Sequence, residues 1–275
     1  MQKTRKRALV LPSMLILLLF AAIPLVIMLV YSLRAHNETT LTFANYLNFF
    51  TKKVYLQLTW STIWTSLLVT VISLVLSYPL AYMMAKRLKS GKFIIMALLI
   101  IPFFTNQLVR VYSWLVFLQT GGVLQSILQS LHLLDGPLNI LYTRGATVIG
   151  LVHAFFPMMV ITIYLALERI DDSLLDAASS LGGNKVTNFL RITLPLSLPG
   201  VISGITIVFV PCLGTFVEAR ILGGANSAMI GTVIEDQFIS INNWEFGAAI
   251  AFILLVLVLL SMAGLNALGR RYATK

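Results

Sequence analysis

The sequence predicts an all-α membrane protein: six transmembrane helices, a short cytoplasmic helix between the fourth and fifth, and both termini on the cytoplasmic side. Three observations carry this. Of the 275 residues, 58% are hydrophobic and 11% charged, with a mean hydropathy of +0.90, a balance outside the range of soluble domains. Six apolar segments, 8–33, 62–85, 93–118, 145–167, 192–217 and 246–268, each reach the roughly 20 helical residues that cross a hydrocarbon core. Backbone amides in lipid must be satisfied internally, and no alternating pattern of about ten residues recurs, so helices are expected rather than a barrel.

The first segment follows the basic run "KTRKR". Its apolar stretch exceeds the roughly 7–15 residues of a secretory leader core and no clean cleavage site follows, so a retained span is expected. Basic residues set the orientation. The predicted cytoplasmic side receives Lys3, Arg5, Lys6 and Arg7, then Lys86, Arg87, Lys89 and Lys92, then Arg169, Lys185 and Arg191, and finally Arg270, Arg271 and Lys275. The outer side keeps Arg34, Lys52, Lys53, Arg144 and Arg220. This is a strong positive-inside bias. The formal charge of +10 needs only anionic lipid headgroups to explain it, so no nucleic-acid partner is inferred.

Several chemistries find no support. A single cysteine, Cys212, rules out a disulfide framework, and His36, His132 and His153 are too scattered for a metal-ligand spacing. An intramembrane enzyme would need a nucleophile with its base, or paired carboxylates, at one depth. Only His153 lies clearly within a span, and no such set accompanies it, so no catalytic residue and no metal site are expected. No G-x-x-x-x-G-K-[ST] run occurs, "GGNKVT" being the nearest approach, so the chain itself has no cradle for ATP phosphates. One domain, 1–275, is expected.

Two stretches interrupt the apolar pattern. In "IIPFFTNQLVRVYSW" at 100–114, Asn106, Arg110 and Ser113 fall at i, i+4 and i+7 and would share a helix face, with Tyr112 and Trp114 beside them. An arginine in a span costs roughly 2.5–3.5 kcal/mol at the helix centre on insertion scales, so this face should look into a wet pathway, or Arg110 should snorkel to the outer headgroups. Glu218, in "GTFVEARILGG", is the carboxylate in the matching layer; it could pair with Arg110, receive a cationic solute, or be solvated at the interface. Tyr112, Trp114, Phe209 and Phe216 would offer cation–π surfaces if they face a pore. Glu235 and Asp236 read as the solvated face of an outer helix, and Trp244 as a headgroup-level anchor.

The second interruption is the loop at about 168–192. Asp171 or Asp172 can cap a helix, Leu174, Ala178 and Leu181 fall on one face, and Gly182 and Gly183 can end it. Small residues at 177–180 let another backbone approach closely, while Pro195 and Pro199 bend the way into the fifth span. Residues alone allow either a surface helix resting on headgroups or a docking elbow.

Order and spacing here resemble the EAA motif of ABC importer permeases: an acidic residue, two alanines, a glycine, then Ile-x-Leu-Pro. Asp176, Ala177, Ala178, Gly182, Ile192, Leu194 and Pro195 fill those places, with Asp where Glu is usual. The resemblance implies that the elbow docks in a groove of a separate ATP-hydrolysing subunit, which would hold the ATP and magnesium. With "LTFANYLNFF", "PFFTNQLVRVYSW" and "MIGTVIEDQFISINNWEFGAA", most of the chain is similar to the spermidine/putrescine importer permeases. That resemblance implies a bacterial inner-membrane location and transport by alternating access. The implied partners are a dimer of ATP-binding subunits, a second homologous permease, and a periplasmic or lipid-tethered substrate-binding protein. Related branches carry ferric iron, thiamine, phosphonates or opines, and a non-transporting assembly subunit is the remaining alternative.

Overall fold

The computed structural model describes residues 2–36, 38 and 40–273, with side chains for 16–267 and 269 apart from 17, 37 and 39. The side chains of Lys3, Arg5, Lys6, Arg7, Arg270 and Arg271, and all of Lys275, on which the expected orientation leans, lie outside the described residues. In chain order the helices are α1 (Gln2–Ser32), α2 (Ala44–Thr51), α3 (Lys53–Lys86), α4 (Lys92–Phe104), α5 (Gln107–Leu118), α6 (Val123–Ser130), α7 (Arg144–Glu168), α8 (Asp172–Ser180), α9 (Lys185–Asn188), α10 (Leu194–Gly214), α11 (Ile230–Ile239) and α12 (Trp244–Ala273). Among the described residues the only extended pairing is an isolated bridge between Arg34 and Leu41.

Among the described residues five stretches are long and apolar enough to cross a membrane: Lys53–Lys86, Gln107–Ser130, Arg144–Glu168, Lys185–Gly214 and Trp244–Ala267. Leu18–Ser32 and Lys92–Phe104 are shorter apolar helices. The expected third span, 93–118, is therefore corrected. It is two helices, α4 and α5, broken at Thr105 and Asn106. Pro102 lacks the N–H that would continue the ladder, and the Thr105 hydroxyl donates to the Pro102 carbonyl at 2.6 Å. Asn106 then restarts the helix as a cap, its side-chain oxygen accepting from the Leu108 N–H at 2.8 Å.

Two compact units are present, each described by itself. One comprises Met1–Gln57 and Val233–Val256. Aromatic rings hold it together: Phe49 stacks on Tyr55 at 5.8 Å between centroids, Tyr55 meets Phe246 at 5.1 Å, and Trp244 meets Phe238 at 5.5 Å. Glu235 and Asp236 are half-buried here rather than solvated, and the Asp236 carbonyl accepts from the N–H groups of Ser240 and Ile241 to close α11.

The other unit comprises Leu58–Thr232 and Leu257–Lys275. Its centre is α7, apolar on all sides, with Leu151, Met159, Val160, Ile163 and Leu167 fully buried. Val69, Ala81 and Met84 of α3 and Val201, Val208 and Cys212 of α10 complete that core. The α7–α10 seam requires a small residue: a Cβ at Gly200 would land on the Ala166 side chain and within 3.2 Å of the Thr162 carbonyl. Small residues at such crossings let backbones approach and gain dispersion contact.

The loop between α7 and α10 folds as expected, in more detail. Asp171 caps α8, its carboxylate accepting from the Ser173 N–H at 2.9 Å. Gly182, at φ 89°, ends it: its N–H donates to the Ser179 carbonyl at 3.0 Å, and the Gly183 N–H to the Ala178 carbonyl at 2.9 Å. Such a left-handed stop suits glycine, which has no Cβ to clash. The chain loosens just before Pro195, whereas α10 runs as regular helix through Pro199. Residues Phe189–Thr193 form a π turn, in which the Leu194 N–H reaches back to the Phe189 carbonyl. Widening the ladder there relieves the crowding of the Pro195 ring against the preceding turn.

Candidate functional site

Two interrupted helices meet in the second unit. The α4–α5 break lies at Thr105 and Asn106. On the other side α10 stops at Gly214, Thr215 is extended, and the chain winds again through Glu218 into a π turn, Ala219–Gly223. Glu218 stands just past the second break, in the turn that restarts the helix, and is only 1% exposed. Its carboxylate accepts from Gln107 Nε2 at 3.0 Å and from the Thr215 hydroxyl at 2.7 Å. It lines a cavity of about 380 Å³ with Phe103, Gln107, Arg110, Phe155 and Phe216.

A carboxylate out of water needs compensation. Two neutral donors supply part of it, and an ionised carboxyl has about four lone-pair sites, so Glu218 keeps capacity for donors arriving through the cavity. Arg110 shares the cavity without supplying them. Among the described residues it makes no ion pair with Glu218, and its Nη1 lies 3.5 Å from the Pro102 carbonyl, at the limit of a hydrogen bond. The solvated reading of Glu218 is also corrected, because the α10 break turns the side chain inward.

The remaining expected pathway residues divide. Arg110 and Trp114 line a second cavity of about 530 Å³ with Ser113, Thr105 and His153. Trp114 meets His153 edge-on at 5.3 Å, and among the described residues His153 Nδ1 is buried with no hydrogen-bond partner. Phe216 faces the Glu218 cavity. Asn106 does not share the face of Arg110 as helical spacing implied, because it is the cap and not an interior residue. Tyr112, 55% exposed, and Phe209 line neither cavity. Gln107 and Thr215 were missed. The signal available was that Gln107 follows the expected Asn106, and Thr215 follows Gly214 three residues before the expected Glu218.

The elbow lies at the opposite end of α7 and α10. Asp176, Ala177 and Ala178 sit on α8, Ile192 in the π turn, and Leu194 and Pro195 in the first turn of α10. The apolar side chains here point outward: Leu174, Val186 and Leu190 are exposed and Leu181 is 89% exposed. Asn188, another missed residue, is buried and stitches the elbow together, its Nδ2 donating to the Ser179 hydroxyl at 2.9 Å and to the Leu175 carbonyl at 3.4 Å. Hydrogen bonds from the Ser173 backbone and hydroxyl hold the Asp171 carboxyl below the usual aspartate range.

Comparison with known proteins adds three findings. The family profile described as binding-protein-dependent transport system inner membrane component matches residues 77–274. The spermidine/putrescine transport system permease protein PotB of Haemophilus influenzae is 37% identical over 249 residues, 89% of this chain and 87% of that protein. The protein of the same name from Escherichia coli is 41% identical over 165 residues, 60% of each chain. In fold, the chain is similar to one in a crystal structure of a bacterial alginate ABC transporter in complex with an alginate pentasaccharide-bound periplasmic protein. The TM-score is 0.83, with 17% identity, covering 98% of this chain and 95% of that one.

Proposed function

Because this chain belongs to the family of binding-protein-dependent transport system inner membrane components, we propose that it is the permease subunit of an ATP-driven polyamine importer in the bacterial cytoplasmic membrane. The whole chain works as one permease domain with six crossings and both termini inside. Its partners are a dimer of ATP-binding subunits, which hold ATP and magnesium, a second homologous permease, and a periplasmic or lipid-tethered binding protein. Asp176, Ala177, Ala178, Gly182, Ile192, Leu194 and Pro195 couple it to ATP hydrolysis.

The observation that carries the substrate class is Glu218: a buried carboxylate between two broken helices, facing a cavity with aromatic rings. Irregular backbone at membrane depth is tolerated where it lines a cavity. A primary or secondary ammonium entering there would supply the donors Glu218 lacks while resting its methylenes and charge against Phe103, Phe155 and Phe216. The names of the relatives support the same class. Arg110 in the same cavity favours a second reading, an anionic solute such as a phosphonate.

Reconstitution with candidate ATP-binding and binding proteins tests both. Spermidine or putrescine, delivered by the binding protein, should stimulate ATP turnover and accumulate in the vesicles. Stimulation by phosphonate, thiamine, ferric iron or an opine with no response to polyamine would replace the proposal.

A further inference from the structure

Lys86 ends α3 and is buried, its side chain 7% exposed. Its ammonium donates to the Ile170 carbonyl at 2.5 Å and to Asp172 Oδ1 at 2.6 Å. The carbonyl belongs to the corner just past the C-terminus of α7, where the helix dipole is negative, and Asp172 lies in the first turn of α8. One side chain therefore ties three helices. A few residues on, Lys92 at the start of α4 reaches Glu168 at 3.2 Å, so the α3–α4 corner grips the α7–α8 corner twice. The Lys92 pair is the softer one, both partners being partly exposed.

The two ends of α8 lead to different helices. Its C-terminal end continues through Asn188 and the π turn into α10. Its N-terminal end joins α7, and among the described residues Lys86 is the α3 side chain that bonds directly to α8, at Asp172. From Lys86, α3 runs through Pro79, where one ladder bond is missing, and stays helical to Thr62, whose hydroxyl accepts from the Ile230 N–H at 2.8 Å. At about 1.5 Å of rise per residue that is ~36 Å, the thickness of a membrane with part of its headgroup layer. Ile230 follows the winding chain that begins at Glu218.

We propose that Lys86 is a transmission strut: it makes α3 a second output of the coupling helix, carrying displacement of α8 across the membrane alongside the covalent route through α10. Lys86 is thus a positioning residue and touches neither solute nor nucleotide. The inference rests on the reading that α8 receives its motion from an ATP-binding partner.

The test has two arms. In proteoliposomes holding the assembled transporter, spermidine uptake and ATP hydrolysis are measured together for Lys86→Met, Lys86→Arg and Asp172→Asn. Removing the lysine strands no buried charge, because Asp172 is 75% exposed, so the chain should still insert. Lys86→Met should keep co-purification with the ATP-binding subunits and its ATP turnover while uptake per ATP falls about fivefold, the upper end for an ion pair with one exposed partner. Lys86→Arg should restore most of the ratio and Asp172→Asn should fall between. In the second arm the full chain alone, in nanodiscs, carries spin labels at cysteines replacing the exposed Lys89 and Ser180. The distance distribution should broaden with Lys86→Met and not with Lys86→Arg. An unbroadened distribution with wild-type uptake per ATP overturns the strut. A wild-type chain that assembles with no ATP-binding subunit sinks the functional reading instead, and the nanodisc distances still judge the strut: without broadening it is overturned.

Discussion

The two ends of the α7–α10 pair solve opposite problems. At one end polar groups are turned inward: Glu218 is buried, and Gln107 and Thr215 satisfy it. At the other end apolar groups are turned outward, with Leu181 and Val186 exposed on an elbow whose backbone is capped at both ends. A buried carboxylate and an exposed leucine each carry a standing cost. In the proposed function a small cationic solute would relieve the first and a protein surface the second. Between them lies the apolar core around α7, with neither a buried carboxylate nor an exposed leucine of this kind, so the two ends are where binding is proposed.

Changes that erase the inward charge should act most strongly. Glu218→Gln in a reconstituted transporter should lower spermidine uptake efficiency about 30-fold, ~2 kcal/mol, the scale of one charged hydrogen bond. Unchanged efficiency would remove Glu218 from the pathway and dissolve the contrast between the ends. A break in the seam joining them comes next: Gly200→Val should destabilise the chain by about 2 kcal/mol, since the added carbons have no space beside Ala166. Thermal melting in detergent would show it. Gly264→Ala, with open space around it, should not lower the melting temperature.

Smaller effects belong to the elbow. Asn188→Ala should cost about 1 kcal/mol locally, seen as faster hydrogen exchange across α8 with global stability nearly unchanged. The smallest effect is that of pH on the Asp171 cap. Its carboxyl titrates lower in the folded chain than in the unfolded one, so the ionised form favours the fold. The cap's contribution is complete above the ordinary aspartate value of about 3.9 and is lost as pH falls through the lowered one. Exchange protection of α8 should therefore be flat from neutrality to about pH 4 and decline below, and Asp171→Asn should flatten that decline.

Hydropathy made the spans legible because each segment's composition sums over many residues. The same summing hid the break at Thr105 and Asn106, where one proline and one capping residue matter more than the average. Arg110 and Ser113 do share a face of α5 and line one cavity, but Asn106 is the cap, its side chain turned to the Leu108 N–H. Glu218 could be singled out as a carboxylate among apolar residues, but its burial depends on the α10 stop at Gly214. The elbow was the most legible site, since caps and glycine stops act within a few residues of each other. Lys86 was counted only as a basic residue on the cytoplasmic side, because Asp172 and Ile170 are remote from it in sequence and only packing of α3 on α7 brings them together.

The central claim, that the elbow is a docking surface for a nucleotide-driven partner, is tested most directly by a single exposed cysteine, Leu181→Cys, with native Cys212 buried. In the assembled transporter this cysteine should become protected from water-soluble thiol reagents and cross-link to the ATP-binding subunit. Equal reactivity with and without that subunit, together with labelling by a lipid-phase reagent, would place the elbow among headgroups and contradict the account.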